Sequence, residues 1–174
     1  MLAEALRALY GYNEWATERL LEAAERLTPE QLHEPGVAGH GSIRDTLLHL
    51  ITVQRGWLSW WDGSMSVAEA YGLKLDPAGF PDVAALRAEW QDLGRQTQAF
   101  IGSLTDADAT RIYESSLPDG SSFRMPLWEM MLHVANHGTQ HRSEVAAMLT
   151  AFDHSPGPLD LLLYLWPRPT EPAG

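Results

Sequence analysis

The chain has 174 residues, 45% hydrophobic and 20% charged, with a net charge of -11 and no cysteine. Its length fits one compact domain spanning 1–174. The acidity argues against a phosphate-binding surface and so against a nucleic-acid partner, and the missing thiol excludes disulfides, thiolate metal ligands and a cysteine nucleophile.

The first helix is expected over "LAEALRALYGYNEWATERLLEAAERL", where Leu2, Leu6, Leu9, Asn13, Leu20, Ala24 and Leu27 recur near helical spacing. Thr28-Pro29 ends it, and the connection "HEPGVAGHG" is rich in Gly and His. Ser42 has the character of an N-cap with Asp45 three residues on, opening a second helix over "IRDTLLHLITVQRGWLSWW". Asp62-Gly63 closes it. The long connector "GSMSVAEAYGLKLDPAGFP" has room for a short helical turn, and a third helix follows from Pro81 over "DVAALRAEWQDLGRQTQAFIGSL". Alternating residues on either side of Pro118-Asp119-Gly120 predict a small hairpin. Pro126 opens the fourth helix, and "SPGPLDLLLYLWPRP" is expected to pack a short helix on the bundle before a tail that frays from about 167. The sum is an all-α four-helix bundle with a long middle crossover. No apolar run reaches the roughly 18 residues of a membrane span, and the N-terminus lacks a signal-peptide pattern. The expectation is a cytoplasmic protein with no membrane contact.

Chemistry concentrates in the fourth helix, where His133, His137 and His141 stand four apart. Residues i and i+4 on a helix can share one metal ion, so His133/His137 and His137/His141 are both candidate pairs. All three cannot, because His133 and His141 are about 12 Å apart along the axis. A third ligand must come from another helix, and His49 is the candidate. Three neutral histidines with an open position suit Zn, Ni or Fe as a divalent ion, and nitrogen donors alone do not choose among them. HExxH, the paired ExxH motifs of di-iron bundles, the GxSxG elbow and glycine-rich phosphate loops are missing.

Three blocks, "YNEWATERLLEA" (12–23), "SIRDTLLHL" (42–50) and "MPLWEMMLHVANHGTQHRSEV" (125–145), together resemble the DinB/YfiT-like superfamily. The most specific is the N-H-x-x-x-H-R core of the last. The resemblance implies a four-helix bundle whose metal ligands are His49, His137 and His141, with His133 lining the core beside them. Gln140, Ser143 and Glu144 depart from the superfamily's common H-H-R-G-Q, which leaves the ligand positions intact but alters their surroundings. Asp45 and Glu144 are candidates to receive the second imidazole N–H of a ligand, Asp45 having helix capping as its rival role; Asn136 has no role the sequence decides. The seven tryptophans are expected mainly in core or interface packing. The resemblance further implies a metal-dependent enzyme, one divalent transition-metal ion per chain, and a homodimer. Its chemistry would be S-transfer from a low-molecular-weight, bacillithiol-type thiol cosubstrate to a small-molecule substrate. Hydrolysis by metal-bound water, and a non-catalytic metal-binding stress-response bundle, are the alternatives.

Overall fold

A computed structural model describes residues 1–36, 38–116 and 120–166. Pro118 and Asp119 of the expected turn, and the tail expected to fray from about 167, lie outside those residues. Four long helices form the bundle: α1 (Leu2–Ala24), α3 (Ile43–Trp61), α5 (Val83–Ser103) and α7 (Leu127–Ala151). Short helices punctuate the connections: α2 (Pro29–His33), α4 (Val67–Gly72), α6 (Asp106–Ala109) and α8 (Leu161–Leu165). Each of α1 and α3 packs against both α5 and α7. Strands β1 (Ile112–Ser116) and β2 (Ser122–Pro126) pair antiparallel, Tyr113 opposite Met125, and deliver the chain to α7. No described helix is long and apolar enough to cross a membrane.

The boundaries follow local chemistry. Ser42 caps α3, its hydroxyl accepting the Asp45 N–H, and Asp82 caps α5 in the same way. Pro81 therefore lies two residues before α5, just ahead of the cap, and not in its first turn. Thr28-Pro29, expected as a stop, instead starts α2 through a capping box with Gln31. Gly11, the one poor helix former in α1, makes room for the Tyr164 hydroxyl of α8, whose ring also packs on Tyr12 and Trp15. The outer side of α8 presents Leu162, Leu165 and Trp166 to solvent.

The core is not continuously apolar. One cluster joins Leu20, Leu47, Ile51, Leu86, Leu93 and Leu149, and a second joins Leu6, Tyr10, Ile101, Leu127 and Met131. Between them a polar layer draws one residue from each long helix. The Arg142 guanidinium of α7 donates to the Asn13 carbonyl of α1; the Asn13 amide donates to Gln54 of α3 at 2.7 Å; Gln54 donates to Thr97 of α5 at 3.4 Å. Arg142 and Asn13 are each only 2% exposed. Arg142 also donates to Thr139 and lies over the Tyr12 ring, and no carboxylate pairs with it among the described residues. Gly138 leaves the space that this contact fills, since a Cβ there would sit 2.8 Å from the guanidinium and 2.9 Å from the Asn13 oxygen.

Candidate metal centre

Two helices and one loop assemble a cluster of imidazoles on the outer flank of the α3/α7 contact. His49 is one turn and a half into α3, amid Leu47, Leu48 and Leu50, which are buried and fix the helix's orientation. His137 and His141 are on successive turns of α7. The Nε2 atoms of His49 and His137 are 3.2 Å apart, as are those of His137 and His141. His141 is 6% exposed; His49 and His137 are half-buried.

Proton bookkeeping constrains this arrangement. His141 Nδ1 lies 2.6 Å from Glu144 Oε2, and a carboxylate there requires a donor, so the Nδ1 of His141 carries the hydrogen. Its Nε2 then offers a lone pair. A neutral His137 has at most one Nε2–H and can donate to only one of its two neighbours. At least one of the 3.2 Å contacts is therefore left without a hydrogen bond unless a cation stands between the nitrogens. Two nitrogens bound at about 2.0–2.1 Å with a tetrahedral angle are about 3.3–3.4 Å apart, close to the observed spacing. The donor set fits a divalent transition metal, and Glu144 supplies the carboxylate that commonly orients such a ligand. Burial pushes the Glu144 carboxyl up, but hydrogen bonds from His141 and Gln140 outweigh it and hold it below its ordinary range.

A fourth imidazole, missed in the sequence, completes the cluster. His40 stacks on His49 with ring centroids 3.6 Å apart, and one ring nitrogen from each of His40, His49 and His141 falls within 4.8 Å of the others. Its loop depends on Gly39 (φ +70°) and Gly41 (φ +109°), both in the left-handed region that glycine reaches without strain. The His40 N–H is anchored on Thr46 at 3.0 Å. The only signal was a histidine between two glycines just ahead of an N-cap.

The remaining candidates divide. Asp45 takes the capping role, accepting the Ser42 hydroxyl at 2.7 Å and pairing with Arg44. Asn136 is exposed. His133, expected in the core, is exposed instead and stands edge-on to Trp57, 6.2 Å from the His137 ring. His33, at the end of α2, contacts the Pro81 carbonyl at 3.0 Å.

The cluster stores a pH dependence. Burial first, then the neighbouring histidines, push both His49 and His137 from the ordinary imidazole range down to about 4. Between about pH 6.5 and pH 4 the unfolded chain takes up protons that the folded, metal-free chain refuses. Stability is therefore fully present above about 6.5 and declines as pH falls toward 4. Both rings are partly open to solvent, so the full shifts are discounted to a loss on the order of 2 kcal/mol for the pair. Urea unfolding of metal-free protein at about pH 7.5 and about pH 5, beside a His49→Gln/His137→Gln double variant, reads it. Equal losses in both proteins would contradict the assignment.

A family model described as "DinB family" matches residues 1–173. Protein DinB of Bacillus subtilis (strain 168) is 27% identical over 167 residues, taking in 95% of this chain and 96% of that protein.

Proposed function

Since the chain belongs to the DinB family, we propose that it is a metal-dependent thiol transferase whose ion is held by His49, His137 and His141. The observation that carries the metal is the convergence of three Nε2 atoms that cannot all be satisfied by hydrogen bonds among themselves. A divalent ion bound there supplies Lewis acidity that favours a thiol as its thiolate near neutral pH. The protein's own part is positional. Leu47, Leu48 and Leu50 hold α3 so that His49 faces α7; Glu144 fixes the ring of His141 and its tautomer. His40, exposed on its glycine loop, covers the outer side of His49, where an incoming molecule would first meet the cluster.

With no cysteine in the chain, the sulfur must arrive on a cosubstrate, for which a low-molecular-weight thiol of the bacillithiol type is the proposal. It loses its proton to solvent, its sulfur bonds to an electrophilic carbon, and the leaving group departs with the bonding pair. The test follows conjugation of bacillithiol to chlorodinitrobenzene, with release of chloride, by protein purified without a histidine tag and loaded with Zn(II), Ni(II) or Fe(II). Conjugation is expected to require metal and to vanish in His49→Ala and His137→Ala. Conjugation indifferent to metal and to both substitutions would overturn the reading.

A further inference from the structure

One turn along α3 and α7 from the histidines lies a cavity of about 550 Å³, within the range of small-molecule sites. Thr52 and Val53, three and four residues after His49, begin its wall, and His133, four before His137, closes it on the α7 side. The far wall comes from α4 in the crossover and from β2. Gly56 of α3 lines it too, and its missing side chain admits α4: a Cβ would lie 2.8 Å from the Ala70 carbonyl oxygen. None of the described lining residues is Asp, Glu, Lys or Arg, in a chain where 20% of residues are charged.

The lining is aromatic as well as apolar. Trp57 and Trp60 are 5.7 Å apart between centroids, and Phe123 meets Trp60 edge-on at 5.4 Å. Trp57 in turn meets His133 edge-on at 5.7 Å. Such rings offer faces and edges to a flat ligand beyond what burial of area alone gives. Among the described lining residues His133 is the one titratable group besides the exposed Tyr71 phenol, and it faces both Trp57 and His137.

We infer that this cavity binds an uncharged aromatic small molecule, the acceptor of the transfer, with its polar end at His133 and so toward His137. The placement of that end rests on the metal-thiol reading; the binding does not. Against the described walls, which carry no Asp, Glu, Lys or Arg, an anionic or cationic ligand would lose its hydration with no counter-charge in return. A purely aliphatic chain would forgo the ring contacts.

The test uses N-phenyl-1-naphthylamine, a neutral aromatic fluorophore excited by transfer from tryptophan. Wild-type protein is expected to bind it with a Kd of about 10 µM or below. Val53→Trp, which fills the cavity from α3, and Val67→Trp, which fills it from α4, are each expected to weaken binding at least about tenfold. His137→Ala is expected to leave it within about threefold. Absence of binding by wild type, equal binding by both filled variants, or equally tight competition by decanoate would overturn the proposal. A second arm measures the 19F relaxation of 1-fluoronaphthalene bound to Co(II)- and Zn(II)-loaded protein. Faster relaxation with cobalt is expected. If the protein loads no metal yet binds the fluorophore, the metal reading fails and the cavity stands; binding with identical relaxation overturns the orientation toward His137.

Discussion

His137→Ala should lower the affinity for Zn(II), read by competition with a coloured chelator, by several hundredfold. Apparent binding energies at zinc sites of about 10–16 kcal/mol, shared among four ligands, come to roughly 2.5–4 kcal/mol each, or about 60- to 700-fold at 1.4 kcal/mol per factor of ten. His137 carries the largest share because its Nε2 is 3.2 Å from both partners, so its loss breaks both near contacts. Glu144→Gln keeps the size of the side chain and removes its charge, and should cost about tenfold, in the range of outer partners of metal-bound histidine. His40→Ala, taking a stacked ring from an exposed loop, should cost less than His137→Ala. A His137→Ala protein that binds zinc within about threefold of wild type would remove the metal from the site.

The second large effect lies inside the bundle. Asn13→Leu should destabilise the protein by about 3–5 kcal/mol, the cost of leaving a buried charge without its partner. Asn13 serves two residues, accepting from Arg142 and donating to Gln54, and none of the three reaches bulk water easily. Against a total stability of about 5–15 kcal/mol, that is a large fraction. Adding Arg142→Met should restore part of the loss, because apolar groups of similar size then replace both partners. Urea midpoints of the two single variants and the double decide it. A loss under about 1 kcal/mol for Asn13→Leu, or strict additivity in the cycle, would show that the guanidinium finds solvent or another acceptor.

How far the sequence foretold these features depends on the kind of signal each left. The four long helices were legible because an apolar stripe of many turns is a redundant pattern, and α3 was legible to both ends because Ser42 and Asp62-Gly63 mark them. The short helices α2 and α6 have no stripe; only Thr28 with Gln31, and Thr105 with Asp108, announce them as capping boxes. The misplacement of His133 has a geometric cause. Four residues advance a helix by about 400°, so successive members of a four-residue repeat drift about 40° around the axis. His133 is exposed, His137 half-buried and His141 buried, which is that drift seen in the burial. His40 was beyond any periodic argument, since its approach to His49 is set by two left-handed glycines and a hydroxyl anchor. The tryptophans, expected mainly in packing, split: Trp61 and Trp90 are buried, while Trp57 and Trp60 line the cavity.

Arg142 follows His141 directly, about 100° further round the same helix. Its hold on Asn13 therefore sets the azimuth of α7, and with it the direction in which His141 looks out. A slip of α7 by one turn, about 5.4 Å, would carry the guanidinium out of the polar layer and into an apolar cluster. Neighbouring helical alignments are thus penalised by a charge that takes no part in the imidazole cluster, and the aim of the outer histidines is governed from within.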